Sequence, residues 1–159
     1  INDVSGFNYD QYALPKLRPY NIAKVIHHMQ GNPNTMQKNP KYKNILLDIY
    51  DFFEKKINDI SSNKKIILDP GIGFGKKLKH NITILKNISI FHSLGFPLLL
   101  GISRKKFIKE LSEENDSQYR YGGTISTSLY LMKQGVQILR VHDVNEIKQA
   151  IKTYRNLIF

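Results

Sequence analysis

Four short apolar runs in this chain each end in residues able to hold or move charge: Ile26-His27-His28-Met29-Gln30-Gly31, Ile67-Leu68-Asp69-Pro70-Gly71, Leu99-Leu100-Gly101-Ile102-Ser103-Arg104-Lys105 and Leu139-Arg140-Val141-His142-Asp143. An ionised Asp69 at the end of a buried run can accept two parallel N–H bonds from an amino-heterocycle, a strong charge-assisted pairing. The plainer alternative is an Asx-turn that only ends the strand. Behind it, Gly71-Ile72-Gly73-Phe74-Gly75-Lys76 allows close approach to the backbone, and Phe74 offers a ring to a planar ligand. This run lacks both the G-x-G-x-x-G order and the Walker pattern, which argues against a nucleotide loop. Lys105 can bond a heterocycle's carbonyl or ring nitrogen, and Ser103 can orient a small polar group. Arg140 and His142 flank Val141, so strand alternation puts both on one side. A guanidinium fork and an imidazole there form a phosphate clamp, with His142 able to assist a charged leaving group. Asp143 has the competing role of pairing with Arg140 or another nearby cation. Only one of His27 and His28 can face such a pocket, and no three-ligand zinc spacing is present. Asn2 closes the pocket from the first strand end.

Residues this far apart in sequence meet only if the strand ends share one edge. Residues 24–29, 65–69, 97–101 and 136–141 read as strands, the second an uninterrupted apolar run suited to a sheet covered on both faces. Helical spacing runs through Ile45, Ile49, Phe52, Phe53, Ile57 and Ile60 in residues 42–60, and through Ile84, Leu85, Ile88 and Phe91 in residues 81–94, with Gly95 as its stop. Residues 123–134 form a small-residue helix in which Thr124, Ser126 and Ser128 allow close packing, and Asn145 caps a last helix. The charged segment 102–120 reads as a lid or an interface loop. Alternating strand and helix demands parallel strands with right-handed crossovers, in a barrel or an open sheet. In a β/α barrel the chemistry sits at the C-terminal ends of the strands.

The chain has 159 residues, a net charge of +11 and no cysteine. Disulfides and cysteine-based metal or nucleophile sites are therefore excluded. No apolar run approaches the roughly 20 residues of a membrane span, and no secretory leader is visible, so the expectation is a cytoplasmic protein with no membrane partner. The charge lies mostly in lysines scattered among Asn and Ile, among them Lys38, Lys41, Lys43, Lys55, Lys56, Lys64, Lys65, Lys76, Lys77 and Lys79. Most of these are expected on solvated faces, leaving a mild attraction for anionic ligands rather than a nucleic-acid site. A complete eight-unit barrel needs roughly 250 residues, so a barrel reading makes residues 1–159 a portion of one domain, entered at the end of a strand.

These residues resemble the dihydropteroate synthase family over essentially the whole chain. The matching stretches are Ile1 to Gly6, His28 to Thr35 as His-Met-Gln-Gly-Asn-Pro-Asn-Thr, Leu68 to Lys76 as Leu-Asp-Pro-Gly-Ile-Gly-Phe-Gly-Lys, Gly101 to Phe107 as Gly-Ile-Ser-Arg-Lys-Lys-Phe, and Arg140 to Val144 as Arg-Val-His-Asp-Val. The resemblance implies a TIM (β/α)8 barrel, of which this chain covers the second half from the end of strand four through helix eight, and a homodimer. It implies transfer of a 6-hydroxymethyl-7,8-dihydropterin group from its diphosphate to 4-aminobenzoate in folate synthesis. In the positions that match, Asp69 and Asn2 would bind the pterin ring, Lys105 its carbonyl side, and Arg140 and His142 the diphosphate. Ser103, Lys105 and Phe74 would form the aminobenzoate pocket, where sulfonamides compete, with Gly101 beside it. Lys105, Arg140 and His142 are the catalytic candidates.

The family's opening strand, its Asn-Val-Thr-Pro-Asp-Ser-Phe-Ser loop, its Asp-rich loop and its Ser-Val-Asp-Thr segment have no counterpart here, and the residues linked to Mg²⁺ go with them. The expectation is therefore a synthase whose N-terminal half lies outside this chain, with no metal ligand within it and no activity from this portion alone. Smaller departures are Ile72, where an aromatic is common, and His27 beside the expected His28. The rival readings are the pterin-binding domain of a folate-dependent methyltransferase, which the Ser103-Arg104-Lys105 cluster with Phe107 disfavours, and a basic nucleic-acid binder.

Overall fold

The structure, a computed structural model, describes residues 1–17, 19–60 and 65–158; Lys64, expected on a solvated face, lies outside them. Its strands are β1 (Asn2–Asp3), β2 (Lys24–His27), β3 (Ile66–Asp69), β4 (Leu99–Gly101) and β5 (Ile138–Arg140), with a short helix α1 (Ala13–Leu17) between β1 and β2. All pair in parallel, with Asn2 opposite Val25, Ile26 opposite Leu68, His27 opposite Asp69 and Gly101 opposite Arg140. One parallel bridge, Leu68 to Leu98, joins the three-stranded sheet β1-β2-β3 to the two-stranded sheet β4-β5. The strands therefore lie side by side in chain order, as strand–helix alternation requires. Among the described residues they do not close into an eight-stranded barrel, and β1 and β5 remain edges.

Alternation along each strand separates a packing face from a ligand face. Ile26, Leu68 and Leu100 are fully buried against Ile49 and Phe53 of α2 (Ile45–Asp59), Ile84 of α3 (Leu78–Lys86) and Phe91. Each such side chain contributes about 1.5–3 kcal/mol by leaving water. The intervening residues, Val25, His27, Ile67, Asp69, Gly101 and Arg140, belong to the other face. Asn2 shares that parity, but its register with Val25 sets it one layer below Asp69 and His27.

The helices depart from the sequence reading in four places. Helix α2 begins at Ile45 because Asn44 caps it, accepting from the N–H groups of Leu46 and Leu47, so Tyr42 lies in the preceding loop. Residues expected to form one helix through 94 divide into α3 and a 3₁₀ segment, Ile88–Leu94, whose buried residues Ile88 and Phe91 are three apart, the 3₁₀ repeat. Gly95 ends that segment in the left-handed conformation, as expected. Segment 102–120 is not all loop: α4 (Lys106–Ser112) buries Phe107 and Ile108. The last helix, α6 (Val144–Ile158), begins one residue before Asn145, which sits inside its first turn instead of capping it. Helix α5 (Tyr121–Lys133) buries Thr124 and Ser128 as expected, while Ser126 is exposed. It packs tightly on α4, since a Cβ on Gly123 would fall 2.3 Å from Ile108.

Candidate active site

Asp69 ends β3 almost completely buried, and its two oxygens have different surroundings. Oδ1 accepts the N–H of Gly71 at 2.8 Å, which is the Asx-turn. Oδ2 lies 3.4 Å from His27 Nδ1 and 3.6 Å from Arg140 Nη2, and it has no hydrogen-bond partner among the described residues. The turn and the ligand-binding reading are therefore both available, on separate oxygens. Burial, the largest influence, pushes the carboxyl upward, but His27, the Gly71 N–H and Lys105 together hold it below its ordinary value. It is ionised at neutral pH.

The turn after β4 presents Ser103 and Lys105. Arg104 between them takes the left-handed φ of 58°, an uncommon conformation for a residue with a side chain, and the surroundings over-determine it. Its N–H donates to Thr124 Oγ1 at 3.1 Å, its carbonyl accepts from Arg120 Nη1 at 2.9 Å, and its guanidinium holds Asp143 through Nη2–Oδ1 at 2.6 Å. Asp143 thus pairs with Arg104, not Arg140. Lys105 Nζ donates to the Ile72 carbonyl and sits 4.7 Å from the centre of the Phe74 ring. Burial lowers its pKa to about 8, opposed by Asp69 and helped by Arg140.

Gly101 matters for what it lacks. An added Cβ would lie 2.6 Å from Arg140 Nη2, so the bare backbone of β4 is what lets the guanidinium cross from β5 toward Asp69 on β3. His142 lies beyond the end of β5, and its Nδ1 is 2.9 Å from Ser103 Oγ. Strand alternation therefore does not pair Arg140 with His142; the two have different partners yet line the same pocket of about 240 Å³ with Gly101, Ser103, Lys105 and Val141. Asp69 joins this group through Arg140, and Phe74 through Lys105. Asn2 is exposed on the edge strand and is not among the pocket's lining residues.

Sequence reasoning misplaced two lysines and left one histidine open. Lys56 and Lys76 are buried, not solvated. Lys76 Nζ bonds His28 Nδ1 at 3.0 Å, the His28 carbonyl at 3.3 Å and the Phe74 carbonyl at 2.9 Å, fastening the loop after β2 to the loop after β3. Burial lowers its pKa to about 7. His28 is pushed well below its ordinary value by burial, then by Lys76 and His27, and it accepts from Lys76 as a neutral ring. Of the two adjacent histidines, it is His27 that faces the pocket carboxylate. Strand parity, counted from Asp69 with the β2–β3 register known, would have chosen it.

The described residues do not fit a magnesium site of their own. No three His, Cys, Asp or Glu gather among them, and the pocket carboxylate is bordered by Lys105 and Arg140, which would repel a cation. The site suits a planar group with N–H donors at Asp69 and an anion at Arg140 and Lys105. A parallel α/β fold with this arrangement at its carboxyl strand ends is an enzyme fold of the β/α type. The chain belongs to the pterin binding enzyme family, whose pattern matches residues 1–142. It is 36% identical over 156 residues to the dihydropteroate synthase of Escherichia coli K12, covering 96% of this chain and 55% of that protein. With the dihydropteroate synthase of Neisseria meningitidis serogroup B it shares 38% over 165 residues, covering 99% of this chain and 58% of that one. The crystal structure of the Thermus thermophilus synthase superposes with a TM-score of 0.93 at 34% identity, covering 99% of this chain and 64% of that chain. The chain thus spans a little over half the length of the curated relatives it matches.

Proposed function

We propose that residues 1–159 are the later portion of a (β/α)8 barrel that, when whole, condenses 6-hydroxymethyl-7,8-dihydropterin diphosphate with 4-aminobenzoate, releasing diphosphate. The observation that carries this reading is the meeting of Asp69, Lys105 and Arg140 at the carboxyl ends of three neighbouring strands. Related synthases crystallised with 6HMPPP and with 4-aminobenzoate support the substrate pair, and relatives named as synthases favour this reading over the methyltransferase. Asp69 Oδ2 accepts from the pterin N–H groups, and Lys105 donates to the carbonyl side of the ring. Arg140 and His142 hold the diphosphate, while Ser103, Lys105, Phe74 and Gly101 shape the aminobenzoate pocket. Asn2 faces the pterin ring from the lower layer.

Chemically, the methylene C–O bond breaks first, the electron pair leaves with diphosphate, and the electron-rich dihydropterin spreads the developing positive charge. The arylamine nitrogen then forms the new C–N bond and gives up a proton. Because that nitrogen is already nucleophilic, orientation and charge stabilisation outweigh a strong base. Magnesium, when bound, would shield the diphosphate through hard oxygen ligands supplied from outside this chain. Homodimer formation belongs to the same reading. Dihydropteroate formation by this chain and by a form extended at its N-terminus with the remaining barrel units tests the proposal. Turnover is expected only from the extended form; robust turnover by residues 1–159 alone, or none by either, contradicts it.

A further inference from the structure

We propose that His27 is a positioning residue for the pterin-binding carboxylate: its Nδ1, not its Nε2, carries the proton beside Asp69 Oδ2, and the two buried side chains recognise the heterocycle as one pair. This deepens, and rests on, the reading of the pocket given above. His27 and Asp69 stand opposite each other on neighbouring parallel strands, and their Nδ1 and Oδ2 atoms are 3.4 Å apart with both side chains inaccessible to water. Neither ring nitrogen of His27, nor Oδ2, has a hydrogen-bond partner among the described residues. Buried polar atoms are normally matched, so such an unmatched set marks a place that a ligand completes.

The ring cannot turn away. Gly71 holds a φ of +69°, and an added Cβ there would lie 2.8 Å from His27 Nε2 and 2.0 Å from the His28 carbonyl oxygen, so the backbone presses against the ring. On another side the Phe74 ring meets it edge-on, with centroids 4.5 Å apart. An ionised carboxylate offers only lone pairs, so the nitrogen held beside it must bear the proton. With Oδ1 committed to Gly71, Oδ2 is the oxygen left for the ligand, and its several lone-pair directions allow it to accept from both Nδ1 and a pterin N–H. Arg140 reaches the same oxygen from β5; Lys105 and Lys76 add positive charge from the turns after β4 and β3, and His28 adjoins His27 on β2. A carboxylate so deeply buried depends on its donors to stay ionised. Removing the His27 donor raises the pH at which Asp69 protonates, so pterin binding fails earlier on acidification.

In the whole protein, 6-hydroxymethylpterin is titrated by fluorescence quenching from about pH 3 to about pH 8, a window that contains the acid limb of a carboxylate held below its ordinary value. Three forms are compared: the unaltered protein; His27→Met, which keeps bulk but removes the donor; and His27→Asn, whose amide nitrogen replaces Nδ1. His27→Met is expected to bind about tenfold more weakly near neutrality, with its acid limb displaced upward by about one pH unit or more. His27→Asn is expected to keep most of the affinity and the original limb. An affinity and pH profile of His27→Met equal to those of the unaltered protein overturns the proposal. Nitrogen-15 NMR of the unaltered protein gives an answer that needs no variant: a protonated Nδ1 on His27 supports the pair, and an Nε2–H tautomer overturns it. Absence of pterin binding by the unaltered protein at every pH refutes the pterin reading itself, and the role of His27 falls with it.

Discussion

Asp69 commits Oδ1 to the turn and leaves Oδ2 without a hydrogen-bond partner among the described residues, so forming the turn does not compete with the proposed binding of a ligand. Gly101 is similar in kind: it binds nothing, but by having no side chain it lets Arg140 span two strands to reach that carboxylate. Gly101→Ala should therefore separate binding from stability. The clash falls on the far end of a flexible side chain, so the thermal midpoint should change little, while affinity for pterin diphosphate drops about tenfold as the guanidinium is displaced. Calorimetric titration beside a thermal melt checks this; an unchanged affinity would mean that Arg140 does not act from this position. At this scale the sequence placed Asp69, Ser103, Lys105, Arg140 and His142 after buried runs, and the fold gathers these residues at neighbouring strand ends. The sequence was less informative where register decides: the choice between His27 and His28 turns on a pairing that only the folded sheet supplies.

The elements hold these residues by redundancy. The Ser103-Arg104-Lys105 turn is fixed by α5 through Thr124 and Arg120 and by the start of α6 through Asp143, so a strained φ persists where two site residues flank it. The loops after β2 and β3 are fastened by Lys76, by Gln37 on the Gly73 carbonyl and by Tyr42 on the Gly75 carbonyl. Lys76 and Lys105 have folded-state pKa values of about 7 and about 8, below the ordinary 10.5. Above about pH 8 the unfolded chain binds more protons at these sites than the folded one, so stability rises with pH up to about 9.5, with a slope near 1.4 kcal/mol per pH unit for each lysine. Tyr42, pushed upward by burial, reverses the trend above pH 10. Lys76→Met should remove about 1.4 kcal/mol per pH unit from this slope, measured by urea unfolding across that window. An unchanged slope would show that Lys76 does not titrate from its buried position. The strands and long helices were legible because apolar runs and 3.6-residue spacing reflect burial directly. Helix α4 was not, being short and highly charged, and the 3₁₀ segment was not, because Ile84, Ile88 and Phe91 fit an unbroken helix equally well.

At the scale of the molecule, the five parallel strands among the described residues lie in chain order with β1 and β5 as edges, and their ligand-facing ends share one side of the fold. No helix among the described residues is long and apolar enough to cross a membrane. The excess of positive charge suits anionic substrates, although Lys24, Lys56 and Lys76 are buried and leave the surface less basic than composition suggests. The KM for pterin diphosphate should accordingly rise with ionic strength, while that for 4-aminobenzoate, with its single charge, changes less. Steady-state rates over a salt series check this, and equal dependence for both substrates would place the positive field elsewhere. The central claim is that the pocket around Asp69 is where the pterin reacts. Its most direct test is the rate of dihydropteroate formation by the N-terminally extended protein and by its Asp69→Asn variant, both shown to be folded by circular dichroism. The account predicts turnover by the first and a loss of about a hundredfold or more in kcat/KM for the second, whereas an undiminished rate in Asp69→Asn would contradict it.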